Sequence, residues 1–160
     1  MKSNQYNKCV ELYSDGLYRY MIKTCGNATE AKDLVQDAFE KLWIHRGKLV
    51  MEQAKSFLFK TAYRKNIDEY RKKQSKLGYE TAMKNNDQTY NIDLGLKDIL
   101  EKALAQLSEQ YKKLILLRDY EGYSYAEIAK ISGLSLSQVK VYIFRARKEM
   151  KAICLSLEKV

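Results

Sequence analysis

The sequence predicts an all-α protein made of two small helical domains joined by a flexible linker. Proline is absent from its 160 residues, and apolar residues recur at intervals of three and four along most of the chain, as on one side of a helix. Polar residues before these apolar runs and glycines after them are typical signals for helix starts and ends. We expect domains at 1–73 and 96–160, and a linker at 74–95.

An apolar stripe near the amino terminus predicts the first helix. Gly26 follows the stripe and suits the left-handed turn that ends many helices. Asn27 precedes Glu30 by three residues, the spacing of a capping box, and so predicts the start of a second helix that ends near Trp43. A third helix should cover about 53–73. The inward-facing residues expected in these three helices are Tyr6, Cys9, Val10, Tyr13, Leu17, Tyr20, Met21, Ala31, Leu34, Val35, Ala38, Phe39, Leu42, Leu58, Phe59, Ala62, Tyr63, Ile67 and Tyr70.

The segment 74–95 is polar, contains two glycines and has no sustained apolar period. It is long for a loop inside a compact domain, which favours a linker. The helical period resumes at Ile99 and continues to Leu107. Ser108 can then cap a further helix, which Gly122 should close.

The stretch SYAEIAKISGLSLSQVKVYIFRARK (124–148) predicts a helix-turn-helix. Ser124 with Glu127, and Ser135 with Gln138, have capping-box spacing at the starts of two successive helices. Gly133 between them permits a sharp turn, since it adopts a positive φ without a Cβ clash. A plain helical hairpin is the alternative. In the helix-turn-helix, the second helix would enter the major groove of DNA.

One side of that second helix should be buried, and the expected stripe is Leu136, Val139, Ile143, Ala146 and Met150. On the opposite side, Lys140 and Arg145 can donate hydrogen bonds to base acceptors. Val141 and Phe144 can contact a thymine methyl group or a sugar. The complete set of candidate DNA-contacting residues is Ser137, Gln138, Lys140, Val141, Phe144, Arg145, Arg147 and Lys148.

Arg147 and Lys148 are expected to meet phosphates, which fix the position of a protein on DNA without reading sequence. Gln138 has two open interpretations: it contacts a base, or it only completes the cap of its helix.

The second and third helices have opposite charge. Asp33, Gln36, Asp37 and Glu40 follow a helical spacing and form an acidic stripe about two turns long. This stripe is either an ordinary solvated side or a docking site for a protein partner with a basic helix.

The third helix is basic and carries interleaved aromatic residues. Cations beside aromatic rings suit single-stranded nucleic acid, because phosphates need charge and unstacked bases need a flat surface. The alternative is that the rings belong to the core, which we expect for Phe59 and Tyr70. The candidate strand-contacting residues are Lys60, Tyr63, Arg64 and Arg71.

Composition limits the function classes. The formal net charge of +9 favours a polyanionic partner, although an ordinary basic protein is the alternative. Cys9, Cys25 and Cys154 are far apart, so we expect reduced thiols and no zinc site. His45 is the single histidine and belongs to no recognisable catalytic constellation. We therefore expect no enzyme, no cofactor, no metal and no small-molecule substrate.

No apolar run reaches the length needed to span a bilayer, and the amino-terminal residues lack a signal-peptide pattern. We expect a cytoplasmic protein without direct membrane insertion.

Three segments together resemble a known family: EAKDLVQDAFEKLW (30–43), SFLFKTAYRKNIDEYRKK (56–73) and ALAQLSEQYKKLILLRDYEGYSYAEIAKISGLSLSQVKVYIFRARKEMK (103–151). In this order they resemble the extracytoplasmic-function (ECF) group of sigma-70 RNA polymerase sigma factors. The resemblance implies sigma region 2 at 1–73 and sigma region 4 at 96–160.

The resemblance also implies partners: promoter DNA, the β′ clamp helices and β subunit of core RNA polymerase, and an anti-sigma factor. The acidic stripe would dock on the clamp helices. The helix at 56–73 would melt the −10 element, the loop at 45–53 would capture a flipped base, and the second helix of the helix-turn-helix would read the −35 element.

Three residues depart from the family pattern. Arg64 stands where Asn is usual, which puts melting or −10 preference in doubt. Ser108 replaces a frequent Pro, and Gln138 replaces the usual Thr. The alternative function is a stand-alone helix-turn-helix regulator, in which the amino-terminal domain dimerises or binds a ligand.

Overall fold

The computed structural model describes residues 1–76 and 95–159. The predicted all-α class is confirmed, since these residues form seven α-helices and no strand. The helices are α1 (Ser3–Cys25), α2 (Ala28–His45), α3 (Met51–Lys76), α4 (Leu96–Gln106), α5 (Glu109–Ile115), α6 (Tyr125–Ser132) and α7 (Leu136–Glu158). A 3-10 turn, Arg46–Lys48, follows α2, and a π-helical turn, Leu116–Tyr120, follows α5.

The boundary between α1 and α2 has the predicted turn but only half of the predicted capping box. Gly26 has φ 69°, and its N–H donates to the Ile22 carbonyl at 2.9 Å. The Asn27 side chain accepts from the N–H groups of Thr29 and Glu30 at 2.9 and 3.1 Å. The Glu30 carboxylate does not return the bond. It pairs instead with the Lys73 ammonium of α3, which joins α2 to α3.

Helices α1, α2 and α3 pack around one apolar core. Helix α3 begins before the expected 53 and continues to Lys76, three residues into the predicted linker. The remaining linker positions, 77–94, lie outside the described residues. Most expected inward-facing residues are buried, and Tyr6, Val10, Tyr13, Val35, Ile67 and Tyr70 are half-buried.

Helices α4 to α7 form the carboxyl-terminal lobe, in which α4, α5 and α6 each pack against α7. The Ser108 hydroxyl caps α5 by accepting from the Tyr111 N–H at 3.4 Å. The helix expected from Ser108 to Gly122 changes form on the way. The Glu121 N–H donates to the Leu116 carbonyl at 3.0 Å, five residues back, which makes this turn π-helical.

The two lobes also contact each other, which the sequence did not indicate. Helix α3 packs against α6, and α1 packs against α5 and the π-helical turn. Buried residues of both lobes belong to a single apolar cluster. No helix in the two described ranges is long and apolar enough to cross a bilayer.

Candidate nucleic-acid interface

The predicted helix-turn-helix consists of α6, a turn at Gly133, and α7. At the start of α6, the Ser124 hydroxyl accepts from the Glu127 N–H at 3.1 Å, and Glu127 returns a bond to Ser124 at 3.4 Å. At the start of α7, Ser135 and Gln138 repeat this exchange at 3.1 and 3.0 Å. Gly133 has φ 78°. Both predicted capping boxes are therefore confirmed, and they fix the direction in which each helix leaves the turn.

The inner side of α7 packs mainly as predicted. Val139, Ile143 and Ala146 are fully buried, and Met150 is half-buried. The prediction for Leu136 was wrong, because this side chain is 44% exposed. Leu136 is the first residue of α7 and lies ahead of the turns that pack on the lobe core.

The outer side of α7 is accessible at all eight candidate DNA-contacting positions. Phe144 is 69% exposed and Val141 is 44% exposed, although both are apolar. Lys140, Arg145 and Lys148 lie on the same side. A rigid helix with exposed cations and apolar side chains on one side can meet phosphates, base acceptors and thymine methyl groups together.

Arg147 is the one candidate that already has an acidic partner in the described residues. Its guanidinium donates to both oxygens of Asp119, at 2.5 and 3.2 Å. These bonds raise the pKa of Arg147 above its ordinary value. The pair joins α7 to the π-helical turn, so Arg147 has a structural role beside its predicted contact with phosphate.

Gln138 completes the cap of α7 through its side-chain oxygen. Its side chain is exposed. The structure therefore shows the capping role of Gln138, and its contact with a base stays a prediction.

The acidic stripe lies on the outer side of α2. Asp33, Gln36 and Glu40 are exposed. Asp37 is half-buried and pairs with Lys41 at 3.1 Å. Three of the four polar groups are thus open to a partner, and the fourth is partly neutralised within its own helix.

The candidate strand-contacting residues of α3 do not share one environment. Arg64 and Arg71 are exposed, and Lys60 is half-buried. Tyr63 is only 3% exposed, and burial raises the pKa of its hydroxyl to about 12. In this arrangement Tyr63 belongs to the core, so any contact with a base would require movement of whatever covers it. Phe59, expected in the core, is 1% exposed.

Sequence analysis predicted base capture by the loop at 45–53, but it did not identify the cluster of Trp43, Ile44, Arg46 and Val50 at the end of α2. The Arg46 guanidinium lies 3.6 Å from the centroid of the Trp43 ring, and the Tyr6 ring meets the Trp43 ring edge to face with a centroid separation of 4.9 Å. Ile44 and Val50 are 63% and 56% exposed. An exposed stacked pair beside apolar residues offers a surface for an unstacked base. Its signal was the run of apolar residues outside the buried stripe of α2.

A groove of about 610 Å³ runs between α3 and α6. Lys55, Lys60 and Lys130 line it together with the Phe57 ring. Because its walls come from both lobes, the sequence could not predict it. Lys55, Lys60 and Phe57 belong to α3 itself, so the groove adds one cation from α6, Lys130, and it is also lined by Glu52 and Glu127.

Comparisons with known proteins cover both lobes. The family models "Sigma-70 region 2" and "Sigma-70, region 4" match residues 9–76 and 97–150. In Bacillus subtilis (strain 168), the RNA polymerase sigma factor SigV is 30% identical over 94% of this chain and 95% of its own. The RNA polymerase sigma factor YlaC of the same strain is 30% identical, over 87% and 86%. Its ECF RNA polymerase sigma factor SigM is 24% identical, over 89% and 91%.

Two solved structures share the fold. One is the sigma factor RpoE in complex with the anti-sigma factor NepR from Bartonella quintana, with a TM-score of 0.74 and 24% identity over 92% of this chain and 95% of that one. The other is CnrH in complex with the cytosolic domain of CnrY, with a TM-score of 0.70 and 19% identity over 97% and 90%. The matches to both family models, together with the three Bacillus subtilis relatives, show that the chain belongs to the extracytoplasmic-function group of sigma-70 RNA polymerase sigma factors.

Proposed function

We propose that this sigma factor directs core RNA polymerase to promoters through three separate surfaces. The outer side of α7 reads the −35 element. The basic helix α3 and the cluster at Trp43 open the −10 element and hold its single strand. The acidic stripe of α2 binds polymerase. The observation that carries the proposal is the fully accessible outer side of α7, set at a fixed angle by two completed capping boxes.

Reading by α7 divides between specific and non-specific contacts. Lys140 and Arg145 serve as base readers, and Val141 and Phe144 supply apolar contact with thymine methyl groups. Lys148 contacts phosphates. Arg147 also contacts phosphates once its pair with Asp119 has rearranged. Phe144 and Val141 are 69% and 44% exposed on the same side of α7, and two neighbouring exposed apolar side chains form a contact surface that supports this role.

Opening of the −10 element is assigned to Lys60, Arg64 and Arg71, with Tyr63 joining them once it is uncovered. Arginine and lysine provide phosphate contacts, and the Trp43–Arg46 stack provides a platform for a base leaving the duplex.

Polymerase binding is assigned to Asp33, Gln36, Asp37 and Glu40. A stripe of carboxylates on a chain of net charge +9 repels DNA and attracts a basic helix. The β′ clamp helices are the proposed partner there, with the β subunit meeting the carboxyl-terminal lobe.

The proposed domains are 1–73 and 96–160, connected by 74–95. An anti-sigma factor is a further proposed partner, since both solved relatives are described with a bound partner and RpoE with an anti-sigma factor. We propose that the protein acts by binding and not by catalysis, in the cytoplasm where polymerase is. Among residues 1–76 and 95–159, no group of three His, Cys, Asp or Glu side chains is placed to hold a metal ion.

The test is transcription from a genomic promoter library with purified core polymerase. A sigma factor gives promoter-specific transcripts only when both proteins are present, and binds duplex DNA weakly alone. The competing function, a stand-alone regulator, gives tight duplex binding without polymerase. Tight binding alone, with no transcripts on adding core enzyme, would reject the proposed function.

A further inference from the structure

The contact between the two lobes has an unusual chemical content. We call it the seam: Tyr20, Phe59 and Tyr63 on the amino-terminal side, and Lys113 and Tyr123 on the carboxyl-terminal side. The rings of Phe59 and Tyr123 meet edge to face at 5.2 Å. The Tyr20 hydroxyl donates to the Lys113 backbone carbonyl at 3.4 Å. These contacts join residues of both lobes into one apolar cluster.

Charges surround the seam and favour contact between the lobes. Lys55 lies 4.7 Å from the centroid of the Tyr123 ring, and Lys23 lies 4.3 Å from that of Tyr120. Glu121 lies close to the seam, and the nearby cations of Arg19, Lys23 and Lys55 oppose the rise that burial causes in its pKa. Cations of one lobe therefore meet rings and a carboxylate of the other, which attracts the lobes to each other.

Lys113, inside the seam, opposes this attraction. Lys113 is 2% exposed, and its ammonium lies 5.5 Å from the centroid of the Tyr63 ring and 6.0 Å from that of the Tyr70 ring. Among the described residues, the nearby Glu109 carboxylate forms its ion pair with the Lys112 ammonium, at 3.0 Å, and forms none with Lys113. Desolvation consequently lowers the pKa of Lys113 from 10.5 to about 8.

Tyr123 adds a second unfavourable group. The residue is 4% exposed, and its hydroxyl has no hydrogen-bond partner among the described residues. A buried hydroxyl without a partner has lost its hydrogen bonds to water and has formed no hydrogen bond to the protein in their place. If the lobes separate, water can reach both the Lys113 ammonium and the Tyr123 hydroxyl.

We propose that the seam is a conditional clasp, in which an unneutralised lysine and an unpartnered hydroxyl limit the closure of the two lobes, and closure covers Tyr63 of the −10-binding helix while leaving the −35-reading helix free. This rests on the proposed function. Its basis is geometric: Tyr63 is covered beneath Lys113, whereas the outer side of α7 is exposed at every candidate position. The closed chain should therefore bind a −35 duplex but bind a −10 single strand poorly.

Closure should depend on pH through Lys113. Below pH 8 the ammonium is charged in both states, so closure carries the full desolvation cost. Between pH 8 and 10.5 the closed state releases the proton first, and closure becomes easier as pH rises. The titratable and charged groups that face Lys113 are Tyr20 and Cys25 from α1, Tyr63, Tyr70 and Arg71 from α3, and Glu109 and Lys112 from α5.

The experiment uses the full chain and small-angle X-ray scattering at pH 7.5 and 9.5. A compact chain of this length has a radius of gyration of about 15 Å. For the wild type, the radius should fall toward that value as pH rises, because the closing constant increases about twentyfold. Lys113→Met should be compact at both pH values. Lys97→Met is the control and should keep the wild-type pH response, since Lys97 is an exposed residue of α4 and is not among the groups that face Lys113.

Binding of DNA is the second readout. At pH 7.5, Lys113→Met should bind a −10 non-template strand about tenfold more weakly than the wild type, because fewer molecules are open. Its affinity for a −35 duplex should be unchanged. A wild-type radius that does not respond to pH, or equal strand binding by wild type and Lys113→Met, would overturn the proposal.

A further variant protects the test against misfolding. If circular dichroism shows that Lys113→Met has lost its helices, Tyr123→Phe decides, because it removes only the unpartnered hydroxyl. It should make the chain more compact and weaken strand binding, and wild-type values for both would reject the clasp. If the wild type gives no promoter-specific transcripts with core polymerase, the proposed function fails, while scattering still reports on the seam.

Discussion

Arg145 and Arg147 permit a comparison of one residue type in two roles on one helix. They are two positions apart on α7, and both are exposed. Arg147 is held by Asp119, whereas Arg145 has neither a hydrogen bond nor an ion pair to any described residue. We predict that Arg145→Ala relaxes sequence preference at one −35 base pair and that Arg147→Ala does not.

The structure sets different magnitudes for the two changes. A base-reading arginine is worth about 1–3 kcal/mol of discrimination, which is about 5- to 150-fold in relative affinity for the preferred base. The side chains of the Arg147–Asp119 pair are 46% and 38% exposed. Solvent screening limits such a pair to at most about 1 kcal/mol of folding stability. Arg147→Ala should therefore lower the melting temperature slightly and weaken binding to all −35 sequences alike.

The assay measures binding of the polymerase–sigma complex to a set of promoters that vary one −35 base pair at a time, at several salt concentrations. Lys148→Ala is the reference for a lost phosphate contact. It should reduce the slope of log affinity against log salt by about 0.9 without changing the order of preference. Thermal unfolding of each variant separates lost stability from lost recognition.

Indistinguishable specificity profiles for Arg145→Ala and Arg147→Ala would refute the reasoning. Arg145 would then position the protein and not read sequence. A changed base preference in Arg147→Ala would refute it differently, by showing that Arg147 reads a base and does not only contact phosphate.

The remaining predictions concern the other surfaces and the turn. Reversing Asp37 and Glu40 to Lys should weaken core-polymerase affinity at least about tenfold while helicity stays constant, because both proposed contacts with the basic polymerase helix become contacts between like charges. Unchanged affinity in a pull-down titration would remove that assignment. Arg64→Ala should reduce permanganate-reactive thymines in the open complex more than it reduces −35 duplex binding, and equal losses would make α3 only a basic structural helix. Gly133→Ala should destabilise the chain by about 1–2 kcal/mol in chemical denaturation, because its φ of 78° strains a Cβ. Gly47→Ala, where a Cβ would meet nothing within 4 Å, should change stability little, and similar losses for both glycines would contradict the strain argument.

The helix-turn-helix could be predicted because its determinants are local. Each capping box joins residues three positions apart, and Gly133 acts through its own φ, so these features depend little on the rest of the chain. Periodicity likewise identified Val139, Ile143 and Ala146 as the inner side of α7.

Features that depend on distant parts of the chain could not be predicted. Apolar periodicity indicates which side of a helix is covered but not what covers it. Helix α3 is covered by its own lobe and also by α6, and so Tyr63 lies beneath Lys113, which is fifty positions later in the sequence. Glu30 has the spacing to complete a local capping box, but its carboxylate pairs instead with Lys73, which is distant in sequence.

The π-helical turn at Leu116–Tyr120 has an evolutionary consequence. A π turn contains one residue more than an α turn, so the residues within it are rotated around the helix axis relative to their positions in an α turn. This rotation lets Asp119 meet α7 while Tyr120 meets Lys23 of the other lobe. Loss of one residue here would redirect Tyr120, Glu121 and Tyr123 and leave every DNA-reading position of α7 unaltered. Insertions and deletions at this point can therefore change how the lobes associate in related chains without changing which promoters they recognise.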